Sequence, residues 1–187
     1  MTQVGFIMSN LHPWASVLIL SEIAQVITKG TVWLAIVAYA IGIALFAYNR
    51  SKALAAVRLA WTTACVALIA HFSSAFHFYH HWSQESALLD TARQTKGVIG
   101  LNWGGGLFIN YAVLSIWIVD VGSWWLKGID SYRRRRRLIV LLWHAFLIFI
   151  IFNATVVFKD GIVRWIGVIV SLCLIGSWIM LAKQKSK

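Results

Sequence analysis

Five stretches of about twenty apolar residues follow one another along this chain, each long enough to cross roughly 30 Å of hydrocarbon as a helix. They cover residues 31–48, 59–82, 104–126, 138–158 and 162–182, and the only Asp, Glu, Lys or Arg residues within them are Asp120 and Arg164. A medium without hydrogen-bonding partners forces the backbone to satisfy itself, and a helix does that within one segment. A mean hydropathy of +0.75 with 12% charged residues excludes a water-soluble monomer. The expected fold is an all-α integral membrane protein: a five-transmembrane-helix bundle with an N-terminal interfacial amphipathic helix and a short helical extracytoplasmic loop.

Nothing in the chain reads as a soluble domain, a repeat or a low-complexity linker, so residues 1–187 form one transmembrane helical domain. Residues 1–30 are expected to be the interfacial segment and 31–182 the bundle, with 83–103 as the outer loop. Pro13 suits a helix start, and Trp14, Val17, Leu18, Ile23, Val26 and Ile27 alternate with Ser21, Glu22, Gln25 and Thr28. The competing reading of this segment is a sixth, strained span. In the loop, Leu88 and Leu89 are expected to face the bundle and Glu85, Asp90, Arg93 and Lys96 to face water.

Loop charges set the orientation. Arg50, Lys52, Arg58, Lys127, Arg133 to Arg137, Lys183, Lys185 and Lys187 fall on one side, against Lys29, Arg93, Lys96, Lys159 and Arg164 on the other. The positive-inside rule makes the richer side cytoplasmic, with the N-terminus outside and the C-terminus inside, as in a bacterial inner (plasma) membrane. The five-arginine run then reads as an orientation signal touching anionic lipid headgroups, not as a nucleic-acid site. Cys65 and Cys173 lie in spans, where thiols act as small apolar groups, and no disulfide is expected. The first residues lack a basic n-region and no small-residue cleavage site follows, so Met1 is expected to begin the mature chain.

The strongest chemical signal is HFSSAFHFYHHW, from His71 to Trp82, which holds four of the six histidines. On a helix, His77 shares a face with His80 or His81, so two imidazoles can meet one metal ion, with His12 reaching in from the N-terminal segment. Asn110, Tyr111 and Asn153 sit at a similar depth. His71, deeper and on another face, is assigned with Asn110 and Tyr111 to cofactor binding. Neutral imidazoles suit copper, zinc, iron or haem iron. The bland alternative is a belt of amphipathic rings at the membrane surface.

The string HFYHH has the HxxHH spacing of the histidine boxes in membrane di-iron desaturases and hydroxylases, and the resemblance is confined to it. Those families build several such boxes at the cytoplasmic face. His12 and His144 cannot supply the others, so a complete site of that type is not expected here.

Asp120 and His144 lie at matching depth on consecutive spans and are expected to form a structural or proton-handling pair. Gly104, Gly105 and Gly106 permit either close backbone approach or exposed helix amides, while Ala38 with Gly42 and Gly167 with Ser171 are spaced for close helix packing. The functional expectation is a multi-pass membrane protein binding a metal ion or haem at its extracytoplasmic face, in electron transfer. The alternatives are a non-catalytic structural subunit among other membrane subunits, and a small proton or metal-ion transporter. No hydrolase or phosphate-loop motif is present.

Overall fold

The computed structural model describes residues 13–48, 54–128 and 134–183, with the side chains of residues 13–16 set aside. Six α-helices follow in order: α1 (Pro13–Tyr48), α2 (Leu54–Phe78), α3 (Gln84–Ile99), α4 (Gly106–Lys127), α5 (Arg137–Phe152) and α6 (Gly161–Lys183), with a π-helical turn at Asn153–Val157 closing α5. Five of these segments are long and apolar enough to cross a membrane, and α3 is the short helix of the intervening loop. The chain is an all-α, multi-pass membrane protein whose spans face the lipid bilayer.

The division expected at residue 30 is not a helix boundary. α1 runs unbroken for 36 residues, about 54 Å by helical rise. Three polar side chains around residue 30 find partners without leaving the helix: Ser21 Oγ donates to Leu18 O at 2.8 Å, Lys29 Nζ to Gln25 Oε1 at 2.6 Å and Thr31 Oγ1 to Ile27 O at 2.8 Å. Gly30 alone costs only about 1 kcal/mol against alanine, too little to stop a helix supported on both sides. From Pro13 the amphipathic segment and the first span are therefore one rod, and among the described residues neither a separate surface helix nor a sixth span forms.

α1 occupies the centre. It lies antiparallel along α2, as Thr28 meets His71 at one level and Tyr39 meets Trp61 further along, and it also packs on α6. α4 packs on α2, and α5 on α6. The expected small-residue contacts are made: a Cβ at Gly42 would lie 3.6 Å from Ala60 Cβ, and one at Gly167 would fall 2.7 Å from the Thr155 carbonyl oxygen. Only glycine allows α6 to come that close to the π-turn.

α3 starts at Ser83, whose side chain accepts the Ser86 N–H at 3.2 Å. Ala87 and Thr95 face inward and Leu88 is half-buried. Leu89, expected to face the bundle, is 57% exposed. Asp90 is half-buried, accepting from Gln94 Nε2 at 2.9 Å, whereas Glu85, Arg93 and Lys96 are exposed as expected. A Cβ at Gly104 would lie 2.7 Å from Leu88 O, so this glycine serves close approach of the loop helix.

The arginine run does more than orient the chain. Arg134 and Arg136 are exposed, but Arg135 and Arg137 turn inward. Arg135 pairs with Asp120, and Arg137 donates to Ala182 O in the last turn of α6.

Candidate functional site

Two polar regions lie at opposite ends of the bundle. At the histidine end, α2 stops at Phe78, so His80 and His81 are not helical. His81 (φ 48°) and Trp82 (φ 60°) are both left-handed, and Trp82 N–H donates back to Phe76 O at 3.0 Å. This reversal removes the helical spacing that would have aligned His77 with His80 or His81. His77 and His81 are exposed, and His77 packs edge-on against its neighbour Phe78 with centroids 4.8 Å apart. His80 packs on Phe76 at 5.5 Å, its Nδ1 buried and without a hydrogen-bond partner among the described residues. Among the described residues no three His, Cys, Asp or Glu side chains converge on a metal position. His12 lies outside the described residues.

The proposed companions of His71 also separate from it. Tyr111 donates its hydroxyl to Gln84 Oε1 at 2.7 Å and packs on Phe72 and Phe76, tying α4 to the start of α3. Asn110 is exposed, and Asn153 Nδ2 turns back to Phe149 O at 2.7 Å. His71 itself faces α1, where its Nδ1 lies 2.9 Å from Thr28 O. A carbonyl only accepts, so Nδ1 carries the proton, and in the neutral ring the Nε2 lone pair is left unengaged. An open groove of about 650 Å³ lies on the α3 side, lined by Ser83, Glu85, Ser86, Leu89, Arg93, Lys96 and Asn102. No histidine lines it.

At the opposite, basic end the polar groups are buried and mutually bonded. His144 is 2% exposed, with Nδ1 3.1 Å from Tyr39 Oη, inside a ring of Tyr39, Phe46 and Trp61. Trp61 Nε1 donates to Asp120 Oδ2 at 2.8 Å. Asp120 also receives Arg135, whose second terminal nitrogen donates to Ser123 Oγ at 2.9 Å.

The expected Asp120–His144 pair is therefore not made. A guanidinium from the following loop reaches the carboxylate and carries the full charge it needs, whereas His144 points into the aromatic core toward Tyr39. Trp61 stands between them, its ring 5.3 Å from that of His144. An indole N–H donates and cannot accept, so it passes no proton from one to the other. A cavity of about 130 Å³ opens beside Asp120, lined also by Ile116, Arg135, Ile139, Val140 and Trp143.

His71 and His144 belong to different levels. Their partners on α1, Thr28 and Tyr39, are about three turns apart, roughly 16 Å by helical rise. One metal or haem iron cannot take both, because each metal–nitrogen bond is about 2 Å.

The sequence pointed to Asp120 and His144 as buried polar residues but missed Arg135, Tyr39 and Trp61 as their partners. One signal was present: a lone acid in a span demands a cation, and the arginine run follows on the next loop. No protein family profile, curated protein or solved structure matches this chain.

Proposed function

We propose that His71 is a single-histidine ligand for haem or a transition-metal ion in the histidine-bearing half of this membrane protein, in place of a multi-histidine cluster. The observation that carries the reading is the Nδ1–H bond to Thr28 O at 2.9 Å. Metal-binding histidines almost always donate their second ring nitrogen to a carbonyl or carboxylate, which fixes the tautomer and aims the other lone pair. Haem needs only one protein axial ligand, so the absence of a converging triad among the described residues does not weigh against it. Electron transfer is the chemistry such a centre would supply. The histidine end would face the extracytoplasmic side, in line with the loop charges.

The test is the visible spectrum and metal content of the purified full-length chain. Wild type and the His77→Ala/His81→Ala variant are expected to carry an absorbing haem or one equivalent of metal, and His71→Ala to lose it. Colourless, metal-free wild-type protein would overturn the proposal, as would full retention in His71→Ala.

A second reading, a non-catalytic structural subunit, draws on the basic end. There Asp120 takes Trp61 and Arg135, Arg135 also takes Ser123, and Tyr39 pairs with His144. It predicts co-purification of other membrane proteins with the chain under mild solubilisation, and a monodisperse lone chain would count against it.

A further inference from the structure

We infer that Arg58 and Trp125 form a binding site for the phosphate of an anionic phospholipid headgroup at the basic end of the bundle. The guanidinium carbon of Arg58 lies 3.9 Å from the centroid of the Trp125 ring. A chain of hydrogen bonds holds that ring in place: Trp125 Nε1 donates to Thr62 Oγ1 at 2.9 Å, and Thr62 Oγ1 donates to Arg58 O at 2.8 Å. The residue carrying the cation and the aromatic plate beneath it are thus tied to each other through one threonine. This is a preorganised platform, so little side-chain entropy remains to be lost on binding.

Arg58 Nε is buried without a hydrogen-bond partner among the described residues, and no described carboxylate pairs with the guanidinium. Asp120 is held by Arg135 and Trp61, and Asp130 lies outside the described residues. Glu22, Glu85, Asp90 and Asp160 belong to segments at the histidine end. A guanidinium with one face on an indole presents its N–H groups sideways, where a phosphate accepts two at once.

The neighbours decide the source of that phosphate. Leu59 is 59% exposed, Trp125 47% and Leu126 88%, so apolar side chains flank the charge on both helices. A soluble anion has no use for them, whereas the acyl chains of a phospholipid cover them. Lys127, Arg134 and Arg136 are exposed at the same end and add to the positive field.

The test uses native mass spectrometry of the full-length protein in detergent micelles. Phosphatidylglycerol and phosphatidylcholine are added in parallel, and inorganic phosphate serves as competitor. One phosphatidylglycerol is expected to stay bound under activation that strips phosphatidylcholine. Arg58→Gln should lower its occupancy by about tenfold or more, the factor expected for charge-assisted hydrogen bonds. Arg58→Lys keeps the charge and protects against misfolding as the explanation; without the fork it should still lose several-fold, as should Trp125→Leu. Unchanged occupancy in Arg58→Gln overturns the inference. So does equal retention of the two lipids, or a loss confined to Arg134→Gln and Arg136→Gln. Displacement by inorganic phosphate would make the ligand a free anion and overturn the lipid assignment.

Discussion

Replacing Asp120 by alanine removes the acceptor of two donors at once, Trp61 Nε1 and the Arg135 guanidinium, while the Arg135 bond to Ser123 Oγ stays. Breaking a fully buried ion pair by removing one partner costs about 3–5 kcal/mol. Here the side chains are 13% and 24% exposed, so the stranded cation regains some solvation and the expected cost falls to about 2–3 kcal/mol. Arg135→Ala should cost slightly less, because Asp120 keeps the indole N–H. In the double variant no unpaired charge remains, so the two losses should be sub-additive by about 1–2 kcal/mol. The assay is reversible unfolding in mixed detergent–dodecyl sulfate micelles followed by circular dichroism. Arg134→Ala and Arg136→Ala, both exposed, should stay within about 0.5 kcal/mol of wild type and serve as controls. Single variants that add to within about 0.5 kcal/mol would refute the coupling and return Arg135 to the role of orientation signal.

Two further substitutions probe the backbone. Gly167→Ala places a methyl 2.6 Å from Thr155 Oγ1 and 2.7 Å from its carbonyl oxygen; the hydroxyl can rotate but the π-turn carbonyl cannot, and the loss should be about 1–3 kcal/mol in the same unfolding assay. An unchanged midpoint would mean that α6 does not approach the turn. Gly30→Ala meets nothing within 4 Å and should stabilise the protein by about 0.5–1 kcal/mol if α1 is continuous. Destabilisation would place a break at residue 30.

Legibility differed between the two ends of the molecule. Five spans were readable because hydrocarbon forbids unpaired backbone and charge over a whole segment, and twenty residues average away local exceptions. The loop helix was readable from Leu88 and Leu89 set against Glu85, Asp90, Arg93 and Lys96. The histidine stripe was not, since helical spacing was carried past Phe78, where two left-handed residues reverse the chain. No periodicity marks that stop: histidine is enriched in the left-handed region, but His81 is one of four histidines in the segment and Trp82 is a residue that seldom adopts it.

By itself, then, the amino-acid order determined the medium, the number of crossings and the place of each polar residue along its helix, because these depend on local apolar length and helical rise. That place is one coordinate. Which way each side chain turns there depends on how the rods are rotated and which loops fold back. Only the tertiary structure decided that Arg135 takes Asp120, that His144 goes to Tyr39, and that His71 turns to Thr28 of α1.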